Sequence, residues 1–403
     1  MTKVLQINTE ATGLSTGRIT DGIGNVVLAH GWESYITYGR KTGDSTSNMY
    51  TIGSKIDFYI HALDSRFFGR SGYSSKNATL KLLDYIKEVK PDVIQLHNLH
   101  GYYLNLEILF NYLNNIDIPL VWSFHDLWPI TGHCTQFENV SCEKWKTTCH
   151  HCPQLNEYPK SIFIDNSKNS HQLKKRLFTK RTQIQIVTSS NWSKNHIEQS
   201  YFNGYPIDVI PNGVNTDIFK PKLADTKRSE LNLEGKQVLL GVAGVWNNKK
   251  GFHDFLKLSE LISDKQIIIL IGLSTKQINQ LPKEIIGIER TTNIEELATY
   301  YAMADIFLNL TYADTFPTTN LEALACGTPV ITYDTGGSVE SVFEEAGKIV
   351  AKGDLTGVLN AINELNIKSF EFYTVKCSQL AKEKYDMIKQ FNKYHVIYEK
   401  LLK

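Results

Sequence analysis

Thr311-Tyr312-Ala313-Asp314-Thr315-Phe316-Pro317-Thr318-Thr319-Asn320-Leu321-Glu322-Ala323-Leu324-Ala325-Cys326-Gly327-Thr328-Pro329 follows an apolar run at residues 306–310 that reads as a buried strand. Pro317 and Thr318 stand where a helix begins, with Thr318 or Thr319 as its cap. Gly327 terminates that helix, and Pro329 prevents its continuation. A helix that starts at the top of a strand presents unpaired amides and the positive end of its dipole, a site for an anion such as a diphosphate. Asp314 precedes the helix and Glu322 lies more than one turn inside it, with seven residues between them. Carboxylates accept hydrogen bonds from sugar hydroxyls, so one is suited to a transferred sugar and the other to a ribose. An isolated Asp/Glu pair reads more simply as a turn cap and a solvated helix residue, and it is the whole string that favours the site.

Outward from this segment, strands and helices alternate. Residues 238–242, 267–271 and 329–332 read as further strands. Helices are expected at 252–262, 295–303 and 321–326. The first half repeats the pattern, with strands at 3–8, 93–96, 120–124 and 184–188 and helices near 104–113 and 168–181. Apolar runs without strict alternation belong to parallel sheets covered on both faces. The turn Pro211-Asn212-Gly213 and Pro221 interrupt the pattern. Three parts are therefore expected: residues 1–205, with a cysteine-bearing loop at about 131–160; residues 206–380; and a closing helix over 381–403, its amphipathic pattern starting at 380. The fold class is α/β, two Rossmann-like doubly wound domains facing across a cleft, with the closing helix crossing back to the first.

Composition narrows the class. Of 403 residues 42% are hydrophobic and 21% charged, ordinary for a globular chain of two or three domains. A net charge of +1 argues against nucleic acid as partner. The most apolar run, 267–273, is far shorter than the ~20 residues of a spanning helix. Residues 1–7 read as an opening strand and not as a signal peptide, which places the protein in the cytoplasm with reduced thiols.

Several clusters carry candidate chemistry. Lys250 and Lys249 precede Gly251 between a strand and a helix, a position suited to phosphate. Gly13, Gly17 and Arg18 form a glycine-rich turn after the first strand, a weaker signal of the same kind. His125 follows the strand 120–124, where a histidine can position a proton. His97-Asn98-Leu99-His100-Gly101-Tyr102-Tyr103 ends another strand and suits an acceptor sugar or an ordinary loop equally well. The spacing Cys134-x7-Cys142-x6-Cys149-x2-Cys152 is compatible with structural zinc, with a disulfide or with free thiols; zinc is slightly favoured, and four ligands leave no open position for catalysis. Residues 174–181, with Lys174, Lys175, Arg176, Lys180 and Arg181, form a basic run that is either solvated or a contact for anionic lipid headgroups.

The acidic segment resembles that of retaining glycosyltransferases of family 4, which have the GT-B architecture. There both acidic positions are usually Glu, and here the first is Asp314. The resemblance extends to Val209-Ile210-Pro211-Asn212-Gly213-Val214-Asn215, to Phe219-Lys220-Pro221, to the helix at 293–305 that opens with Asn293, and to Thr335-Gly336-Gly337. The run His125-Asp126-Leu127-Trp128-Pro129 is most similar to colanic-acid-type and other surface-polysaccharide transferases. The resemblance implies that Asp314 and the amides near Phe316, Pro317 and Thr318 contact the donor sugar, that Glu322 binds the ribose, that Lys250 holds the diphosphate, and that His125 lies by the reacting sugar. It adds Asn293 to the candidates for donor binding. The family commonly has an Arg at the position of Val245, so Lys249 or Arg18 is expected to supply that charge. The implied activity moves a sugar from a UDP- or GDP-sugar to a lipid-linked oligosaccharide with retention and no catalytic metal, at the inner face of the membrane. A nucleotide-sugar epimerase on the same fold and a non-catalytic glycan-binding relic are the alternative readings.

Overall fold

Apolar runs that lack alternation become strands buried on both faces, and each of the chain's two sheets is built from them. The computed structural model describes residues 1–13, 15–40 and 43–403. Two compact units are present, Met1–Pro211 with Gln390–Lys403, and Asn212–Lys389.

In the first unit, strands β1 (Lys3–Glu10), β2 (Glu33–Arg40), β3 (Asn48–Thr51), β4 (Val93–Leu96), β5 (Leu120–Phe124), β6 (Ile184–Thr188) and β7 (Ile207–Val209) form one parallel sheet in the order β3-β2-β1-β4-β5-β6-β7. Helices α1 (Ser15–Ala29), α2 (Lys55–Phe68), α3 (Lys76–Val89), α4 (Leu106–Leu113), α5 (Ser167–Phe178) and α6 (Asn191–Glu198) connect them. Leu5, Ile7, Ile94, Leu96, Trp122 and Phe178 lie in its core. Strand order reverses between β1 and β4, which opens a crevice at their carboxyl ends.

The second unit repeats the design. Strands β8 (Gln237–Val242), β9 (Gln266–Ile271), β10 (Ile285–Ile288), β11 (Ile306–Asn309), β12 (Val330–Tyr333) and β13 (Gly347–Val350) run parallel in the order β10-β9-β8-β11-β12-β13. Its helices are α7 (Asp225–Glu230), α8 (Phe252–Ser259), α9 (Thr275–Ile278), α10 (Ile294–Met303), α11 (Thr318–Ala325), α12 (Leu355–Leu365) and α13 (Phe370–Lys384). The order reverses between β8 and β11, and the loops after those two strands carry Lys250 and Asp314.

The single closing helix expected from residue 380 is instead two, α13 and α14 (Met387–Leu401). The reason lies at Asp386. Its carboxylate accepts from Lys389 N at 3.1 Å and from Thr216 Oγ1 at 2.7 Å, so it caps a new helix while tethering the break. Val214 N donates to Tyr385 O and Met387 N to Val214 O, which holds the break as a β-bridge. From Gln390 onward α14 belongs to the first unit, so the chain's end returns there. Strands β3, β7, β10 and β13 escape the sequence reading as short edge strands, and β2, an interior strand of eight residues, escapes it because its residues are only partly apolar and partly buried.

Candidate functional site

In the second unit the loop after β8 is set by Asn247. Its side chain caps a short 3-10 turn, Asn248–Lys250, by accepting from Lys250 N at 3.1 Å. Gly251 then adopts φ 73°, and a Cβ there would lie 2.1 Å from Leu310 O. Only glycine lets this loop press against the end of β11. Tyr312 N donates to Lys249 O at 2.7 Å, closing the contact from the other side. Lys250 Nζ thereby reaches Asp314 Oδ2 at 2.8 Å.

Asp314 is fixed in turn. Its Oδ1 accepts from Phe316 N at 3.2 Å, and its carbonyl accepts from Gly337 N. Phe316 is buried, and its carbonyl accepts from Asn212 Nδ2 at 2.9 Å. Of the three expected amide donors, Phe316 N–H is bonded to Asp314 and Pro317 carries no amide hydrogen. Thr318 opens α11, whose N-cap is Pro317 with no side-chain cap bond. Thr318 and Thr319, expected as caps, lie inside the first turn, because the proline sets the helical entry one residue earlier. The amino end of the dipole is therefore not plugged by a capping side chain of its own.

Glu322 is not a solvated helix residue. It is 3% exposed, and Tyr301 Oη donates to its Oε2 at 3.0 Å. Asn320, also fully buried, accepts from Asn309 and donates to Ser341 Oγ at 2.8 Å, tying α11 to β11. Asp254 on α8 accepts from the hydroxyls of Tyr312 and Tyr333, both at 2.8 Å, which braces the loop before Asp314. Asn293 is exposed, and its side chain caps α10 by accepting from Glu296 N at 2.8 Å.

In the first unit, His125 sits at the carboxyl end of β5, partly accessible yet densely surrounded. Its Nε2 lies 2.9 Å from His97 Nδ1, and His97 Nε2 lies 3.0 Å from Gln6 Oε1. Beside them Asp126 Oδ2 lies 2.7 Å from His100 Nε2. Burial pushes His125 down to about 4 and His97 well below the usual histidine range. His125 is thus a neutral ring at neutral pH and a poor carrier of protons there. Asp126 is held below the usual carboxylate range because His100 and the Trp128 amide outweigh its burial. Gly17 lies in the first turn of α1, where a Cβ would meet Thr12 O at 2.1 Å. Arg18 N donates to Gly13 O at 3.0 Å, which closes that turn.

The four clustered cysteines are free thiols in one stretch lacking strands and α-helices, between β5 and α5. All four, with His133 and His150, line one small cavity. Cys134 and Cys152 share a hydrogen bond, and Gly132 N donates to Cys149 Sγ at 3.2 Å. Among the described residues no three His, Cys, Asp or Glu side chains are already arranged as a metal shell.

Within the basic run 174–181, Lys175, Arg176 and Lys180 are exposed, but Lys174 is not. Lys174 is 1% exposed and donates to Trp128 O at 2.8 Å and Thr131 O at 3.1 Å, with its Nζ 3.2 Å from the Trp128 ring centre. It anchors the cysteine-bearing loop instead of facing solvent. Arg176 pairs with Glu107, and Arg181 donates to the carbonyls of Leu113, Ile116 and Ile118. Exposed apolar side chains gather instead on α2, at Ile56, Tyr59, Ile60, Leu63 and Phe67.

The sequence reading missed Gln6, Asp254, Tyr301 and Asn320, and left His97 open. Gln6 alone carries a local signal, as a polar residue within an apolar strand; the others become informative only once their partners are known.

Comparison with known proteins bears on the family and the fold. Residues 26–218 match the family described as Glycosyltransferase Family 4, and residues 236–366 match Glycosyl transferases group 1. The chain is 25% identical over 385 residues to a glycosyl transferase of Escherichia coli strain K12 named for colanic acid biosynthesis, covering 87% of this chain and 88% of that protein. Over 144 residues (32% of this chain, 36% of the relative) it is 28% identical to the N,N'-diacetylbacillosaminyl-diphospho-undecaprenol alpha-1,3-N-acetylgalactosaminyltransferase of Campylobacter jejuni. Among solved structures, sucrose-phosphate synthase from Thermosynechococcus elongatus superposes with TM-score 0.74 at 15% identity, covering 100% of this chain and 99% of that one. Anabaena HepE in complex with UDP-glucose superposes with TM-score 0.68 at 15% identity, covering 99% and 100%. The fold is that of the GT-B enzymes, and the chain carries a Glycosyltransferase Family 4 domain followed by a Glycosyl transferases group 1 domain. It is an enzyme of the glycosyl-transferring class.

Buried neutral histidines make stability depend on pH. Burial holds His61 at about 4, like His125, whereas histidines of the unfolded chain titrate near 6.5. Between those values the unfolded chain binds more protons, so stability falls as pH drops from about 6.5 toward 4. Each ring contributes a slope of up to about 1.4 kcal/mol per pH unit. Urea unfolding midpoints are expected to be level above pH 7 and to decline steadily below 6.5. A midpoint unchanged between pH 7 and 5 would contradict the neutral burial of these rings.

Proposed function

We infer that the protein moves a sugar from a nucleoside-diphosphate donor, of the UDP type, to a hydroxyl of a lipid-linked glycan with retention of anomeric configuration, in the assembly of a surface polysaccharide. The observation that carries the donor side is the contact of Lys250 Nζ with Asp314 Oδ2 at 2.8 Å, beside the amino end of α11. A diphosphate bound at that end competes with Asp314 for the lysine, and Lys250 stabilises the charge that develops as it leaves. Asp314 is then released toward hydroxyls of the donor sugar. Glu322, braced by Tyr301, is proposed to hold the ribose, and Lys249 to supply the cation missing at Val245.

In the reaction the bond from the anomeric carbon to the diphosphate oxygen breaks, and a bond to the acceptor oxygen forms on the same face. The acceptor's proton passes to the departing phosphate oxygen. His125 then positions a hydroxyl. The UDP-glucose complex of HepE supports the donor class, and the name of the Campylobacter relative, which includes a diphospho-undecaprenol, supports the acceptor class.

Membrane contact fits the apolar face of α2 better than the basic run. Ile56, Tyr59, Ile60, Leu63 and Phe67 recur at helical spacing and are flanked by exposed Lys55 and Arg66, a pattern suited to an anionic bilayer surface. Among the described residues no helix is long and apolar enough to cross a membrane. We assign the four-cysteine cavity to a structural zinc ion drawn into the loop. The Gly132 N–H is aimed at Cys149 Sγ and the bond from Cys134 lowers Cys152 to about 7, whereas burial raises Cys149, a cost that a bound cation would offset.

Lys250→Ala is expected to lower turnover by roughly 100-fold or more, in line with loss of one charge-stabilising donor. Its melting temperature should barely move, because the ion pair is partly exposed. Proton NMR of the product reads the anomeric configuration. Donor converted to an epimer without acceptor would overturn the reading. Sedimentation with phosphatidylglycerol vesicles should carry the protein down, and Ile60→Asp with Leu63→Asp should abolish this; absence of binding to any vesicle removes the membrane contact. Elemental analysis of the purified chain should find about one zinc per molecule, and a chelator should lower the melting temperature. A metal-free protein that melts identically with and without chelator would exclude the ion.

A further inference from the structure

Gln6 lies on the buried central strand β1, fully enclosed. Its Nε2 donates to Thr20 O at 3.0 Å. A carbonyl only accepts, so the amide orientation is settled and Oε1 is the end that faces His97 Nε2 at 3.0 Å. An amide oxygen likewise only accepts, so His97 Nε2 carries the hydrogen. His97 is 1% exposed and kept neutral by its burial, which leaves Nδ1 a bare lone pair. That lone pair faces His125 Nε2 at 2.9 Å, with the two rings within 2° of parallel. His125 Nε2 must therefore donate. The main chain holds His97 rigidly in this position, since its N–H donates to Ile7 O and its carbonyl accepts from Trp122 Nε1.

We propose that Gln6 and His97 are positioning residues that lock His125 as the Nε2–H tautomer, so that its Nδ1 acts as a hydrogen-bond acceptor and not as an acid. The chain runs from the carbonyl of Thr20 through an amide and two imidazoles, and each member has one permissible orientation. It makes His125 Nδ1 an acceptor for hydroxyls, and selects against a sugar whose hydroxyl at that position is replaced by a group that only accepts. The last step rests on the sugar-transfer reading; the tautomer does not.

Nitrogen-15 NMR of histidine-labelled protein at pH 7 tests the tautomer directly, with His125 assigned by the signal lost in His125→Asn. The expected spectrum has hydrogen on Nε2 and none on Nδ1. Hydrogen on Nδ1, or a charged ring, would overturn the proposal whether or not the protein transfers sugar. His97→Leu removes the acceptor and should mix the His125 tautomers and lower kcat/KM for the donor by roughly tenfold. The binding of UDP alone, followed by thermal shift, should be unchanged. His97→Asn, which keeps an acceptor oxygen near the Nδ1 position, should restore most of the loss. A folded His97→Leu variant with unaltered kcat/KM and an unaltered His125 spectrum would refute the positioning role. If that variant does not fold, the wild-type spectrum still decides the assignment.

Discussion

The contact of the Lys250 ammonium with the Asp314 carboxylate joins the two loops on which the second unit's site is built. Those loops are 64 residues apart in sequence and leave neighbouring strands at the point where strand order reverses. Parallel strands need crossover connections, and where these are helices, as after β8 and β11, the carboxyl end of the strand leads to the amino end of the next helix. Anion chemistry follows from that geometry. The particular arrangement needs a glycine at 251 that admits the carbonyl of Leu310, and a proline at 317 that starts a helix without a side-chain cap.

Around this contact the protein invests in bracing more than in extra charge. Tyr301 holds Glu322, Tyr312 and Tyr333 converge on Asp254, and Asn320 links α11 to β11 and to Ser341. Buried polar groups of this kind are costly unless each has a partner, and once paired they limit the loop to few arrangements. The first unit uses the same principle with different chemistry. There a stripe of polar side chains, Gln6 and Asn8, runs through a strand that is otherwise core, and it ends at the histidines.

The alternation of strand and helix was legible because a parallel sheet demands apolar strands on both faces, and those runs stand out in the chain. Edge strands such as β3 and β10 are only four residues long and were not legible. The break between α13 and α14 was hidden as well, since the amphipathic pattern continues across it and only the tether from Asp386 to Thr216 reveals it. Lys174 was misread for a related reason. A charged residue within a basic run reads as solvated, and nothing local tells that two carbonyls and an indole ring enclose this one.

From its residues alone the chain determines a twofold α/β layout, a helix start behind Pro317 and the candidate groups Lys250, Asp314, Glu322 and His125, because periodicity, capping and loop chemistry are local properties. Tertiary structure alone decides which of those groups meet, that Glu322 is buried against Tyr301, and which nitrogen of His125 carries hydrogen. Those outcomes depend on partners tens of residues away, and a hydrogen bond or a burial exists only once the fold has brought both sides together.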